Sequence, residues 1–330
     1  SNTNSNVNII DNWDVSVLED NVLPLNDVTL FINGQKVLDN QPVAKAWHDY
    51  FYKAPDGTPF KAVYTFQVID VPEGSMYAAI EVAENLDRIT LNGTELKALK
   101  ARNEMGAFDP NKSWKDINFT KVPLNGAIQK GQNILVIEGR KVNNITGPGC
   151  HARVEDFNNH APTEVEAVYI VGDFHVVRID DGTFYIDNRS KYPAPYHGNI
   201  SISGYPFYAG KIKFSSQFEY TGSSPAGKRL LLKVNDVHAA YIKLYLNGKP
   251  ISTKYWAPYV FDITGHVQKG INRIEIIAST TLFNLMGPNR IANILDITFV
   301  GPSTFINFDR FTSKYELLPY GISNCVLEER

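Results

Sequence analysis

Apolar and polar residues alternate along most of this chain with a period of two. Segments such as Val63–Val68, Met76–Val82 and Tyr241–Leu246 are short, rich in β-branched and aromatic residues, and bounded by Gly, Pro, Asn or Asp. This alternation is typical of strands that bury one face of a sheet. The same pattern recurs at Arg88–Leu91, Ile134–Ile137, Ile212–Phe218, Arg229–Val234, Arg273–Ile277 and Leu295–Val300. Since no stretch keeps a helical period over three turns, the pattern predicts an all-β protein.

The dipeptide Asn-Gly occurs four times, at 33–34, 92–93, 125–126 and 247–248. It readily adopts the two positive φ values of a two-residue hairpin turn. Short strands at roughly 8–12-residue spacing, separated by such turns, are typical of an all-β sandwich or barrel. We therefore expect strands that pair mainly with their antiparallel neighbours.

An ordered set of short motifs occurs twice along the chain. The first half contains Asn92-Gly93, Trp114, Asp116, Gln129–Asn133, an Asn-x-x-Gly-Pro segment at 144–148 and Val-Gly at 171–172. The second half contains Asn247-Gly248, Trp256, Asp262, Gln268–Asn272, the same segment at 284–288 and Val-Gly at 300–301. Matched elements that keep one order and lie about 130–155 residues apart indicate two copies of one β-domain.

Turn-forming residues separate the two copies. Asp187–Gly204 contains Pro193, Pro195 and Gly198 and is typical of a linker or a lead-in loop. We expect a first domain at 1–178, with an N-terminal lead-in whose own strand signal lies at Val28–Gly34. A linker is expected at 179–203 and a second domain at 204–330. The fold prediction is two tandem antiparallel β-sandwiches.

Composition narrows the classes of protein further. The chain has 330 residues, of which 43% are hydrophobic and 20% charged, as in a folded globular protein of two domains. A net charge of −3 indicates no nucleic-acid partner, and no apolar run is long enough to span a bilayer. Ser1–Asn8 lack a signal-peptide pattern, so we expect a processed chain or a fragment.

Cys150 and Cys325 fit two reduced thiols better than one bridge, and they form no zinc site.

The motifs of both halves resemble the sugar-binding β-sandwich of glycoside hydrolase family 2. In the second half, the segments 204–212, 254–264, 284–290 and 315–322 are similar to C-terminal β-sandwiches of family-106-type bacterial α-L-rhamnosidases. The resemblance implies a jelly-roll, galactose-binding-like topology over roughly residues 60–322. It also implies a polysaccharide or oligosaccharide partner, a catalytic domain of the same parent protein, and an extracellular, cell-surface or periplasmic location in a bacterium.

The sequence carries no motif for catalysis. It has no Gly-x-Ser-x-Gly elbow, no His-Glu-x-x-His, no phosphate-binding glycine loop and no Cys-x-x-Cys. The family's large catalytic domain has no counterpart here, so we predict no catalytic residue and no required cofactor. His151 and His160 flank Glu155 and Asp156, which we interpret as a polar loop rather than a metal cluster. A structural calcium in such acidic loops is a minor alternative.

Sugar recognition needs an exposed aromatic ring and a few planar or charged side chains that bind hydroxyl groups. The main candidates are Tyr255, Trp256 and Tyr259, which lie around Pro258, with Asn284 and Arg290 as hydroxyl partners. Adjacent residues of an extended stretch point to opposite sides, so at least one of Tyr255 and Trp256 should lie near solvent.

Further candidates lie in the first half of the chain. They are Trp114, at the matched place, and Trp47 and Tyr50 in an aromatic cluster at 47–52. A tryptophan matched in both halves also fits a core plug. Asn284 and Arg290 equally fit side chains that fix a turn, and Arg290 also fits an ion pair.

Three functions are compatible with these observations. The first is a non-catalytic accessory region, carbohydrate-binding or scaffolding, of a large and possibly α-L-rhamnosidase-like bacterial glycoside hydrolase. The second is a self-contained glycan-active hydrolase with a site between the sandwiches. The third is a structural or adhesive module that binds protein. We favour the first, because the resemblance supports it and the lack of a catalytic motif disfavours the second.

Overall fold

A computed structural model describes residues 8–100, 109–124, 126–142, 163–189, 196–222, 227–286 and 314–330. In chain order the strands are β1 (Asn8–Ile10), β2 (Asp14–Val17), β3 (Asn21–Leu25), β4 (Asp27–Ile32), β5 (Gln35–Pro42), β6 (Pro59–Val68), β7 (Met76–Glu81), β8 (Arg88–Leu91), β9 (Thr94–Leu96), β10 (Ser113–Trp114) and β11 (Asp116–Pro123). They continue with β12 (Gly131–Arg140), β13 (Val168–Gly172), β14 (His175–Arg178), β15 (Phe184–Asp187), β16 (Lys211–Tyr220), β17 (Leu230–Val234), β18 (Tyr241–Leu246), β19 (Lys249–Lys254), β20 (Val260–Asp262), β21 (Gly270–Ser279) and β22 (Cys325–Glu329).

Helical segments in this part of the chain are short. They are α1 (Val43–Ala46), a π-helical turn at Trp47–Phe51, 3-10 turns at Ala83–Asn85, Pro110–Lys112 and Ile200–Ile202, and α2 (Phe283–Met286). The prediction of an all-β protein is confirmed. The expected strand at Leu295–Val300 lies outside the described residues.

Contacts divide the chain into two compact units. The first unit comprises Asn21–Pro193 and Arg290–Glu316, and the second comprises Ser1–Asp20, Ala194–Asn289 and Leu317–Arg330. Both units differ from the predicted boundaries, because residues 1–20 group with the second unit and residues 179–193 with the first. Within 179–193, β15 pairs with β14 and with β6, which makes this stretch part of a sheet rather than a linker.

The first unit contains two sheets. One has the strand order β10-β11-β7-β13-β3, and the other has β14-β15-β6-β12-β8-β9 with the β4–β5 hairpin attached to β6. All of these strand pairs are antiparallel except β15 with β6, which is parallel. Fully buried side chains come from both sheets, among them Tyr64, Leu135 and Ile170. The alternation of the sequence therefore buries the inward faces of both sheets in one core.

The second unit also contains two sheets. Their orders are β1-β22-β17-β20 and β19-β18-β21-β16-β2. One hydrophobic cluster joins them, with Leu232 contributed by the first of these sheets and Phe214 and Ile276 by the second. Cys325, on β22, is a free and buried thiol in this cluster, and burial raises its pKa. Cys150 lies outside the described residues.

The N-terminal segment completes both sheets of the second unit. β1 pairs with β22 in one sheet, and β2 pairs with β16 in the other. Ile10 is buried in the core, and the buried hydroxyl of Tyr208 donates to the Glu19 carboxylate over 2.6 Å. Burial, together with this carboxylate, raises the pKa of Tyr208. This placement could not be predicted from the sequence, because the residues of an N-terminal strand do not indicate which sheet edge the strand will pair with.

A pair of hydrogen-bonded asparagine side chains fixes the Asn-Gly turn of the first unit. The Asn92 side chain accepts a hydrogen bond from the Ile134 amide and donates one to the side chain of Asn133 over 2.8 Å. Asn133 in turn accepts from the Gln129 amide and donates to the carbonyl oxygens of Gln129 and Gly131. Asn133 is fully buried, so these bonds satisfy an amide that would otherwise be costly to bury.

The second unit contains the same set of hydrogen bonds. Asn247 accepts from the Arg273 amide and donates to Asn272 over 2.9 Å. Asn272, also fully buried, accepts from the Gln268 amide and donates to the carbonyl oxygens of Gln268 and Gly270. The motif Gln-Lys-Gly-x-Asn is therefore explained by one structural task, which is to anchor the hairpin turn to the next long strand.

Backbone dihedral angles at the Asn-Gly turns agree with the expected turn geometry. Both turn residues have positive φ at 33–34, 92–93 and 247–248, which join β4 to β5, β8 to β9 and β18 to β19. In the fourth dipeptide, Asn125 lies outside the described residues. Asparagine and glycine tolerate this conformation better than other residues, so the turns form without strain.

Deletion of residues 1–20 should destabilise the second unit. The truncated chain loses two edge strands, the buried Ile10 side chain and the Glu19 partner of Tyr208. We expect the free energy of unfolding to fall by about 3 kcal/mol or more. Urea denaturation followed by circular dichroism measures the change, and deletion of residues 1–7, which keeps β1 and β2, is the control. An unchanged urea midpoint in the longer deletion would contradict this assignment of the N-terminal strands.

Candidate functional site

Two aromatic side chains project into solvent after strand β19. Tyr255 and Trp256 are 61% and 75% exposed, and their ring centroids lie 6.1 Å apart with a 39° angle between the planes. The ring of Tyr241, on β18, lies 6.0 Å from that of Tyr255. We call these three residues the aromatic platform. Their neighbouring rings offer apolar faces, and the phenol hydroxyls and the indole N–H supply hydrogen-bonding groups.

Strand pairing explains why these rings meet. The turn at 247–248 pairs Leu246 with Lys249, but Leu244 faces Ser252, so one extra residue in β19 forms a bulge. Beyond the bulge Ile242 faces Lys254, which brings the following residue, Tyr255, beside Tyr241. A bulge changes which residues of two strands share a face. Tyr241 was not among the candidates predicted from the sequence, although its outward position in an alternating strand was a usable signal.

Tyr255–Ala257 form a bend rather than an extended stretch. Both Tyr255 and Trp256 are consequently exposed, whereas the extended geometry would have placed them on opposite sides. The peptide bond between Ala257 and Pro258 is cis. Tyr259 is half-buried and packs against the hydrophobic cluster of the second unit, so it does not belong to the platform.

Asn284 is unsuited to binding a ligand. It is fully buried, its side chain donates to the carbonyl oxygens of Pro206 and Leu318, and it accepts from the Leu318 amide. These bonds anchor two loops to α2, which corresponds to the structural alternative for this residue. The expectation that it lies beside the aromatic rings as a hydroxyl partner is therefore corrected. Arg290 lies outside the described residues.

Trp114 differs from Trp256 in its surroundings. It is only 9% exposed, and its ring packs 5.3 Å from the ring of Tyr169 in the first unit. It is therefore a core side chain, and the prediction that it binds sugar at the surface is wrong. The matched segments of the two units place one tryptophan inside and the other outside.

The cluster at 47–52 forms a second, smaller aromatic surface. Trp47 and Tyr50 are half-buried, and the exposed ring, that of Tyr52, lies 5.0 Å from the ring of Trp47. Lys141 donates to the carbonyl oxygens of Tyr52 and Ala54, each over 2.7 Å. Burial lowers the pKa of Lys141. The two carbonyl groups at the end of the helical turn nevertheless stabilise its charged ammonium group.

Three carboxylates converge in the first unit. Each of Glu81, Glu164 and Glu166 places an oxygen within 4.8 Å of the others. Burial raises the pKa of Glu164 and raises that of Glu166 to about 7. The hydroxyl of Tyr64 donates to the backbone carbonyl oxygen of Glu166 over 2.7 Å, which holds the segment in place.

This glutamate cluster could hold a hard cation through oxygen ligands. It is not suited to glycosidic cleavage, because the cavity that it lines leaves room for only about one water molecule and not for a sugar ring. The calcium expected in acidic loops stays a prediction, and the loop with His151, Glu155, Asp156 and His160 lies outside the described residues.

The raised pKa of Glu166 predicts a pH-dependent stability. Ionising a group whose pKa is higher in the folded chain favours unfolding, so stability should fall between about pH 4.5 and pH 7 by up to about 3 kcal/mol. Glu166→Gln should remove this loss, and hence be more stable than the wild type at pH 8 but not at pH 4.5. Urea denaturation at both pH values tests it, with the exposed Glu73→Gln as control. An equal difference between variant and wild type at both pH values would contradict the assignment.

None of the helices in the described residues is long and apolar enough to cross a membrane. The chain matches no family model, and no curated protein is similar to it.

Solved structures of glycoside hydrolases are among those similar to this chain. An α-L-rhamnosidase from Streptomyces avermitilis is 12% identical over 97% of this chain and 28% of its own, with a TM-score of 0.33. A rhamnosidase from Novosphingobium sp. PP1Y is 16% identical over 89% and 27%, with a TM-score of 0.29. A β-D-mannosidase from Dictyoglomus thermophilum is 12% identical over 79% and 31%, with a TM-score of 0.29. The chain thus spans about a quarter to a third of the length of these proteins.

Proposed function

We propose that this chain is a non-catalytic, carbohydrate-binding region of a larger bacterial glycoside hydrolase, in which the aromatic platform holds a glycan. The two units are, in this proposal, copies of one β-sandwich domain, of which the second carries the binding surface. The parent protein is secreted or located at the cell surface. Its catalytic domain is the partner that acts on the bound glycan.

The exposed ring pair is the observation that carries the proposal. Large aromatic side chains are rarely left mostly in water, and such surfaces commonly mark a binding site. Tyr255 and Trp256 expose adjacent rings, and Tyr241 extends the surface by a third. A pyranose presents an apolar C–H face, which suits stacking on such rings, and hydroxyl groups, which suit the phenol and indole groups.

The sequence supports the same role. The ordered motifs of the second half resemble sandwiches that accompany a catalytic domain in family-106-type α-L-rhamnosidases, and the chain carries no catalytic motif of its own. In the described part of the first unit the matched tryptophan, Trp114, is buried, so it forms no exposed ring pair like that of Tyr255 and Trp256. A scaffolding role therefore suits the first unit and a binding role the second.

Trp256→Ala should abolish glycan binding without destabilising the fold. The side chain is 75% exposed, so its removal should change Tm by about 2 °C or less. Stacking on the sugar depends on the ring, so retention in affinity electrophoresis on polysaccharide gels should be lost. Tyr52→Ala, which removes an exposed ring from the first unit, is the matched control and should retain binding.

Two results would contradict the proposal. One is equal glycan retention by Trp256→Ala and the wild type, which would remove the platform from the binding site. The other is robust turnover of rhamnose-containing aryl glycosides by the purified chain, which would make it an enzyme in its own right. Retention lost in Tyr52→Ala and kept in Trp256→Ala would move the site to the first unit.

A further inference from the structure

The aromatic platform continues onto the outward face of a sheet that carries lysines. On β18, Ile242 and Leu244 point into the core, whereas Tyr241 and Lys243 point outward. On β16, Ile212 is buried likewise, and the lysines on either side of it, at 211 and 213, face outward. Alternation thus places lysines on the same face as the ring of Tyr241.

Cross-strand register places these lysines in rows with the platform. Strand β21 lies between β18 and β16, and its Ser279 faces both Tyr241 and Lys211. In the next row its Ile277 faces both Lys243 and Lys213. With strands about 4.8 Å apart, each lysine of β16 lies roughly 10 Å from its counterpart on β18. A further lysine, Lys254, ends β19 directly before Tyr255, but it faces the inward-pointing Ile242 and therefore does not belong to this outward face.

These lysines have no carboxylate partner. In the described part of the chain, none of Lys211, Lys213, Lys243 and Lys254 forms an ion pair. Lys243 instead lies over the ring of Tyr245, 4.8 Å from its centroid. Other lysines of the protein do have such partners, namely Lys36, Lys45, Lys112, Lys130 and Lys314. The ammonium groups beside the platform are therefore held in no ion pair, although the Glu19 carboxylate accepts a hydrogen bond from the backbone amide of Lys211 over 2.7 Å.

The charge of this face is moderate rather than high. A row further from Tyr241 contains two carboxylates, because Glu275 faces Tyr245 and Asp14 faces Ser215. The face thus suits a ligand with spaced single charges better than a densely sulfated chain. Lysine ammonium groups act as compact point charges and bind a carboxylate without strict geometry.

We infer that the glycan bound by this protein is acidic, a polysaccharide of uronic acid residues whose rings stack on Tyr255 and Trp256 and whose carboxylates lie over Lys213 and Lys243. This inference rests on the proposed function, since it assigns the ligand class of the same site. The platform supplies the apolar contact, and the lysines supply the preference for a charged sugar.

The test compares a polysaccharide with its uncharged form. The full chain is run in affinity electrophoresis against polygalacturonate and against its methyl ester, which has the same sugar rings without the charges. Heparin serves as the sulfated probe. The variants are Lys213→Gln/Lys243→Gln and Trp256→Ala. The control is Lys228→Gln/Lys233→Gln, which removes two exposed lysines at the other sheet of the second unit.

We expect the wild type to bind polygalacturonate at least about tenfold more tightly than the methyl ester, and added salt to reduce the difference. The Lys213/Lys243 variant should bind both forms equally, and the control should behave as the wild type. Trp256→Ala should bind neither form.

The outcomes separate this inference from the proposed function. Equal binding of both forms by the wild type, abolished in Trp256→Ala, would overturn the acidic ligand and leave glycan binding intact. Tighter binding of heparin than of polygalacturonate would replace the uronate with a sulfated chain and overturn the inference. Binding that survives in Trp256→Ala, or no binding of any of these glycans, would count against both.

Discussion

A hydrogen-bonded pair of asparagine side chains, one of them fully buried, fixes the same hairpin turn in each unit. Asn92 with Asn133, and Asn247 with Asn272, connect a hairpin turn to the loop before the next long strand. Each inner asparagine is fully buried and satisfies its amide with backbone groups of that loop. Burying an amide without partners is costly, so loop and hairpin are held in one mutual position. The long strands β12 and β21 start from this point, and both sheets that contain them take their register from it.

This constraint extends to the candidate site. The turn at 247–248 fixes the pairing of β18 with β19, the bulge in β19 shifts that pairing by one residue, and Tyr255 then emerges beside Tyr241. The same pairing directs Lys243 outward toward the row of Lys213. In the first unit the corresponding hairpin joins β8 to β9, which is three residues long, and the described residues directly after it, 97–100, contain no aromatic side chain. Equal hydrogen bonds at the turn therefore support different surfaces at the far end of the hairpin.

Sequence alternation and the Asn-Gly turns predicted the all-β fold well, because both act locally. The same local signals carried no information on long-range placement. From these signals residues 1–20 were predicted to belong to the first domain. They belong to the second unit, because strand β2 pairs with β16 about two hundred residues later. For the site, residue types indicated Tyr255 and Trp256, but Tyr241 depended on a bulge that no motif marks. Asn284 and Trp114 have suitable chemistry for sugar binding, but both side chains are buried and cannot contact a sugar. Their burial depends on how the whole chain packs, so their residue types alone could not predict it.

Amide hydrogen exchange in the wild type and in Asn272→Ala tests the asparagine network most directly. The amides of Gln268 and Arg273 are held by side-chain oxygens of Asn272 and Asn247, so the wild type should protect both. Replacing Asn272 leaves a backbone amide and two carbonyl groups without their partner, which costs about 2–3 kcal/mol and should speed exchange at both amides by about 30- to 150-fold. The amides of Gln129 and Ile134, in the other unit, should exchange at unchanged rates. Unaltered exchange at Gln268 and Arg273 in this variant would contradict the claim that the paired asparagines hold the hairpin in place.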